Sequence, residues 1–387
     1  MRIGIDARFY GPEGTGLGRY TQKLLENLEK IDKKNDYVVF LRKSNFNLYN
    51  PKAKNFRKVL ADIGWYSLAE QFKLIPIINR EKLDLVHFCH FNVPIFYNKP
   101  YVVTIHDLIK HKFGKSSSTT RFLPIFYLKH FFYKFVITHA AKSAVKIIVP
   151  SNFTKNEIME VLKVPSGKIE VTYEAGGEEF KKSQGDSPSI SLRTRESKEK
   201  SLLEKYKIKK PFIIYVGNVY EHKNIPRLLQ ALKILNSKKP DLNLVVATAR
   251  NVFYDRLIYA VVKEGVENNV VMPGFIPTLD LAIIYTQAEA YVFPSLAEGF
   301  GIPPLDAMKS GLPVAASNIS SIPEILGEAA IYFNPLDPND IAAKINKILS
   351  DDKLRKELIS KGMKKASQYS WLSMADQTLK VYEKASS

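Results

Sequence analysis

One cysteine, Cys89, stands among the 387 residues. An internal disulfide is therefore excluded, and a reducing compartment is expected. No uninterrupted apolar run approaches the roughly 18 to 20 residues that a membrane-spanning helix needs. The opening MRIGIDARF reads directly as a strand, with no charged leader followed by a long apolar segment, so no secretory signal is read there. These absences point to a cytoplasmic protein, soluble or held peripherally at the inner face of a membrane. Acidic residues are also scarce, 39 against 57 Lys and Arg, and the net charge of +18 predicts an anionic partner or surface. The shortage is sharpest from Leu108 to Asn156, which holds no Asp or Glu but has Lys110, Lys112, Lys115, Arg121, Lys129, Lys134, Lys142, Lys146 and Lys155. That window also contains TRFLPIFYLKHFFYKFVITHAAKSA, where Phe and Tyr interleave with Lys. The segment reads either as a helix for an anionic bilayer or lipid-phosphate acceptor, or as a helix with a core face and an ordinary solvated face. No recognisable nucleic-acid module accompanies it, and no nucleic-acid partner is expected.

What is present is an alternation of short apolar strands and helices. Strands are expected at 1–9, 36–41, 56–60, 83–90, 101–105, 146–150 and 168–173, then at 211–217, 242–248, 269–274, 290–294 and 313–317. Such alternation implies parallel sheets covered on both faces, an α/β fold. The length accommodates two domains. The boundaries read as 1–180, a polar linker or mobile loop over 181–200, and 201–369. Pro76 is expected to interrupt a helix over 67–80.

Candidate site residues lie where strands end. Gly11, Gly14, Gly16 and Gly18 form a glycine-rich turn into a helix, which can bring a ligand onto backbone amides. His106 and Asp107 follow a strand. His87 and His90 end the preceding one, but no compact ligand spacing joins them to His106 as a metal site, and no metal is expected. Lys223 sits at a strand-to-helix junction, where a lysine and a helix start can meet a diphosphate. Tyr291 to Ser317 reads as strand, tight turn at Glu298-Gly299-Phe300-Gly301, helix from Pro303, then strand. Its two acids, Glu298 and Asp306, either face a cleft at the strand ends or merely cap the helix.

This stretch resembles the signature of the retaining, nucleotide-sugar-dependent glycosyltransferases of the group 1 and family 4 type. That signature is often described as Glu, seven residues, Glu. Here Asp306 stands at the second position. The similarity continues through SNISSIPEILGEAAIYFNPLDPNDIA and reappears at the TGLGRY, THDL, VPSNFTKNEI and YVGN…HKN segments, so it spans nearly the whole chain. The resemblance implies the GT-B fold, two Rossmann-like domains facing across a cleft, with a last helix (about 370–387) returning to the first domain. The first domain would bind the acceptor and the second the donor.

The resemblance also assigns roles. His106 would contact the transferred sugar near its reacting carbon. Glu298, with Gly299, Phe300 and Gly301, would hold the sugar. Gly16, Lys223, Asn218 and Gly301 would hold the donor phosphates. Asn218 departs from the family's usual Arg, and His222 or Arg227 could add charge. Asp306 would hold the ribose, and the Phe275-Ile276 turn would lie beside the base. Arg19 and Asp107 would face the acceptor, although Arg19 reads equally as a surface residue of its helix. No cofactor beyond the nucleotide-sugar co-substrate is implied. The likeness leans toward mannosyltransferases of surface polysaccharide synthesis, using GDP-mannose and a saccharide or polyprenyl-phosphate-linked acceptor. A UDP-sugar-dependent glucosyl or N-acetylglucosaminyl transferase is the nearest alternative. A non-catalytic nucleotide-sugar or polyanion binder on the same fold is the other.

Overall fold

The first strand explains itself: in RIGID the residues Ile3 and Ile5 are fully buried, and the strand lies between two others. A centre strand covered on both faces must be apolar on both sides. The computed structural model describes residues 1–113, 123–180, 192–250 and 252–386. The chain forms two compact units, Met1–Glu174 with Ser370–Ser387, and Ala175–Tyr369.

The first unit begins β1 (Arg2–Asp6), α1 (Thr15–Ile31), β2 (Asp36–Leu41), β3 (Phe56–Leu60) and α2 (Leu68–Arg80). It continues β4 (Leu85–Phe88), β5 (Tyr101–Thr104), α3 (Ile109–Lys112), α4 (Leu123–Ser143), β6 (Lys146–Val149), α5 (Asn152–Leu162) and β7 (Ile169–Val171). In the second unit, α6 (Leu192–Lys205) precedes β8 (Phe212–Val216), α7 (Ile225–Asn236), β9 (Asn243–Ala247), α8 (Val252–Glu264), β10 (Val270–Gly274) and α9 (Thr278–Gln287). Then come β11 (Ala290–Phe293), α10 (Ile302–Lys309), β12 (Val314–Ser317), α11 (Ile322–Leu326), β13 (Ala330–Phe333), α12 (Pro338–Ser350) and α13 (Asp352–Ser367). The last helix, α14 (Trp371–Ser386), lies with the first unit and packs on α1.

Both sheets are parallel. The first has seven strands in the order β3-β2-β1-β4-β5-β6-β7, with Ile3 opposite Tyr37 on one side and Leu85 on the other. The second has six, β10-β9-β8-β11-β12-β13. Each is two Rossmann-like halves wound in opposite directions. The direction reverses between β1 and β4 in one and between β8 and β11 in the other. Ligands of open α/β sheets bind beyond the strand ends at that reversal.

Three expectations need correction. Helix α2 runs through Pro76 without a break. The hydrogen bond that Pro76 cannot make would have gone to Phe72, and both residues sit on the exposed face, where water can take the carbonyl. Residues 192–200, expected as linker, are helical in α6. Arg, Lys and Glu are good helix formers even without an apolar stripe. The end of α6 is anchored by Lys205 and Tyr206 donating to Asp280 of α9 at 2.8 and 2.6 Å. The remainder of the expected linker, 181–191, lies outside the described residues, as do Lys115 and Arg121 of the basic window. Finally, the first unit ends at Glu174 rather than at 180. The segment after it is tied to α10, where Gly177 N–H donates to Asp306 Oδ1 at 2.7 Å and Lys309 Nζ to the Gly176 carbonyl at 2.8 Å.

Candidate active site

In the second unit the loops after β8 and β11 meet at the sheet's reversal point. Asn224 closes the first loop in a left-handed conformation (φ 60°) and is almost fully buried. Its side-chain amide donates to the carbonyls of Pro294 (3.0 Å) and Pro335 (2.7 Å), and its oxygen accepts from Arg227 at 3.0 Å. Leu296 N–H donates to the His222 carbonyl at 2.7 Å. These bonds fix Lys223 against the β11 loop, and its Nζ lies 2.6 Å from Glu298 Oε1. The two side chains are 13% and 10% exposed, so the pair is shielded yet reachable.

Glu298 is held from behind by two serines. Ser320 Oγ accepts from Glu298 N–H at 2.9 Å and donates to its carbonyl at 2.7 Å, while Ser321 Oγ donates to the same carbonyl at 2.9 Å. Ser320 itself has φ 64°, an unfavourable conformation for a residue with a Cβ. Gly301 then starts α10 at φ 93°, with a hypothetical Cβ only 3.1 Å from the Phe293 ring. Neither a side-chain cap nor an acidic residue occupies this helix start. Pro303 and Pro304 lack N–H groups, so the donors there for an anion are the amides at Gly301 and Ile302.

Other expected donor residues are distributed less simply. The Phe300 ring is buried against Tyr369, edge-on at 5.6 Å, leaving only its backbone for a sugar. Asp306 is 4% exposed and accepts from Gly177 N–H, so its shortened side chain already serves the start of this unit. The Asn218 side-chain oxygen is buried with no hydrogen-bond partner. In the turn after β10, Phe275 is 70% exposed and Ile276 is buried. His222 does not add positive charge at neutral pH, because burial and the adjacent Lys223 push its pKa down to about 4. Arg227 is engaged in bracing Asn224.

In the first unit, His106 follows β5 and its ring is held on two sides. Nδ1 lies 3.0 Å from Glu174 Oε1, Nε2 lies 3.2 Å from the Cys89 carbonyl, and the Tyr20 ring meets it edge-on at 4.7 Å. Asp107 Oδ1 accepts from Ile109 N–H at 2.9 Å, a local bond that starts α3. Arg19 is half-buried on α1. Gly16 is exposed in the first turn of α1, with open space around it. Gly11 needs glycine for its φ of 95°, and Gly14 and Gly18 need it for space: a Cβ would lie 2.0 Å from the Phe9 carbonyl oxygen and 1.9 Å from that of Gly11.

His87 is an interior residue and His90 is partly buried. His87 is bonded to Tyr382 of α14 and to Thr104, each at 2.7 Å, and burial, then the charge of His106, pushes its pKa down to about 3. His90 is likewise held well below its usual value by burial and nearby Lys110, with Asn92 as its partner. Among the described residues no group of three or more His, Cys, Asp or Glu could hold a metal ion.

Glu174, Asn224, Ser320 and Ser321 escaped the sequence reading. Each acts through backbone or side-chain contacts to a residue distant in sequence. Glu174 begins EAGGE, Asn224 closes the HKN segment, and Ser320 and Ser321 fall within SNISSIPE, but nothing in those segments marks them as supports.

Comparison with known proteins bears on the fold and the family. The model described as "Glycosyl transferases group 1" matches residues 196–365, and "Glycosyltransferase Family 4" matches residues 14–175. O-antigen chain mannosyltransferase B of Escherichia coli is 27% identical over 391 residues, covering 95% of this chain and 96% of that protein. Sucrose-phosphate synthase of Thermosynechococcus elongatus shares the fold at TM-score 0.76, with 18% identity over 99% of this chain and 98% of that one. HepE of Anabaena, solved in complex with UDP-glucose, shares it at TM-score 0.73, with 15% identity over 99% and 100%. Two reversing parallel sheets, matched end to end by these proteins, make the chain a GT-B-fold glycosyltransferase related to the group 1 and family 4 transferases.

Proposed function

We propose that the protein is a retaining hexosyltransferase that moves mannose from GDP-mannose to a saccharide or lipid-linked saccharide in surface polysaccharide synthesis. The observation that carries this reading is the Lys223–Glu298 pair at the reversal of the second sheet, braced by Asn224, Ser320 and Ser321. A shielded cation beside free helix amides suits a diphosphate leaving group. Donor binding would exchange partners: the diphosphate takes Lys223, and Glu298 turns to the sugar hydroxyls and fixes their orientation. Phe275 would lie on the base, and Asp306 would reach the ribose only if it shares or gives up Gly177. In the first unit His106, oriented by Glu174, would contact the sugar near its reacting carbon.

In the step itself, the bond from the anomeric carbon to the β-phosphate oxygen breaks as the acceptor hydroxyl oxygen bonds to the same face of that carbon. The hydroxyl proton passes to the departing phosphate oxygen. Charge develops on the diphosphate, where Lys223 and the amides at Gly16 and Gly301 would meet it. No second carboxylate is placed as a nucleophile, which sets this scheme apart from two-carboxylate glycoside cleavage.

Full-length similarity to a mannosyltransferase favours mannose, whereas the fold shared with a UDP-glucose complex favours a UDP-sugar. Donor turnover measured across GDP-, UDP-, ADP- and dTDP-sugars decides between them. GDP-mannose turnover that vanishes in Glu298→Ala is expected. Turnover confined to a UDP-sugar overturns the donor assignment, and nucleotide binding without turnover on any saccharide or lipid-linked acceptor overturns the enzymatic one.

A further inference from the structure

Helix α4 has two apolar faces. One packs inward, with Ile137, Ala140 and Ala141 buried and Tyr133 and Val136 against the first unit's core. The other stands in solvent: Leu128 is 58% exposed, Phe131 65%, Phe132 53% and Phe135 49%. Their spacing of three, four and seven residues puts them on one stripe. A surface helix of a globular protein normally turns charged and polar residues outward, and one that is apolar all round is enclosed in protein or lipid. Lys129, Lys134 and Lys142 are exposed on the same helix, and no acidic residue occurs from Leu108 to Asn156. No helix among the described residues is long and apolar enough to cross a membrane.

We propose that the outer stripe of α4 docks on an anionic lipid bilayer. Leu128, Phe131, Phe132 and Phe135 enter the boundary between headgroups and acyl chains, and the lysines meet lipid phosphates. A second copy of this chain is a poor occupant, since pairing the same face would set acid-free lysine clusters against each other on a chain of net charge +18. The inference goes beyond the transfer reaction and does not depend on the identity of the donor.

The test is co-sedimentation of the full chain with phosphatidylglycerol-rich and with pure phosphatidylcholine vesicles, at low and high salt. Wild type and the double variant Phe131→Ser/Phe135→Ser are compared, with circular dichroism to confirm that the exposed substitutions leave the fold intact. Binding to the anionic vesicles, weakened by salt and reduced about tenfold or more in the variant, is expected. Soluble donor hydrolysis in the variant should equal that of the wild type, so failure of docking and failure of the proposed chemistry read out separately. Wild type that stays in the supernatant with both vesicle types overturns the proposal, as does equal binding by the variant. A wild-type dimer that the variant converts to monomer also overturns it and makes a second copy the occupant.

Discussion

Both units place charge in the turn after the first strand of their sheet, and they treat it in opposite ways. In the first unit Arg8 is fully buried. It makes paired 2.8 Å bonds to both oxygens of Asp6, a 2.6 Å bond to Glu70, and a 3.3 Å bond to the Ile63 carbonyl. Burial works against its charge, but the two carboxylates outweigh it and hold the guanidinium ionised. In the second unit Lys223 has one carboxylate partner and remains partly open. A buried cation whose three guanidinium nitrogens all meet fixed partners supports the fold. A cation with a single partner near the surface can exchange it for a ligand. The same topological position thus carries architecture in one unit and candidate chemistry in the other.

Breaking the sealed cluster should have the largest effect. Glu70→Ala leaves Arg8 buried with part of its charge uncompensated and should lower stability by about 3–5 kcal/mol in urea unfolding. An unchanged midpoint would remove the architectural half of the contrast. Lys223→Ala should do the reverse. It should reduce turnover by about 10²–10³-fold, the scale of losing one stabilising group at a developing charge, with a far smaller shift in the unfolding midpoint. Full activity in this variant would dissolve the distinction between the two turns.

His106 offers an intermediate case, since a single carboxylate, at the end of its own unit, holds its Nδ1 while a backbone carbonyl meets Nε2. Glu174→Gln keeps the shape but weakens the grip on the ring, and kcat should fall by up to about 10²-fold through misorientation with KM nearly unchanged. A rise in KM with kcat unchanged would assign Glu174 to binding. The sealed interior should also show in the acid limb of stability. His87 has a folded-state pKa near 3, below its unfolded value, so the unfolded chain binds the extra proton between those values. Its contribution is complete above about pH 6.5 and is lost as pH falls toward 3, at about 1.4 kcal/mol per pH unit. His87→Gln should flatten the unfolding free energy across that window by about one proton. The smallest effect is expected at Gly16→Ala, which meets nothing and should change stability by no more than about 1 kcal/mol in the favourable direction. Gly18→Ala, two residues on, should be clearly destabilising.

The glycines show why only part of the site could be read. Gly16 drew attention because it sits in a loop that resembles a ligand-binding turn. Gly14 and Gly18 are the ones pressed against carbonyls, and that pressure exists only once the turn is folded against itself. Lys223, Glu298 and His106 were legible because each follows an apolar strand, and strand ends are where α/β sheets bind ligands. Their supports were not legible. Ser320 lies 22 residues from Glu298, and Glu174 lies 68 from His106. His222 read as a possible cation because a sequence carries no burial, and burial is what neutralises it.

The sequence by itself determined the alternation of strands and helices except for the unread edge strand β13, the parallel character of both sheets and the strand ends at which charge collects. These follow from short-range patterns of apolar residues, glycine and proline. Tertiary structure decided which charges are sealed and which can be reached, which of two histidines three residues apart along β4 and its end bonds to the last helix, and that α4 turns an aromatic stripe to solvent. Each of those depends on what a side chain meets across the fold, and no local pattern in the chain encodes that.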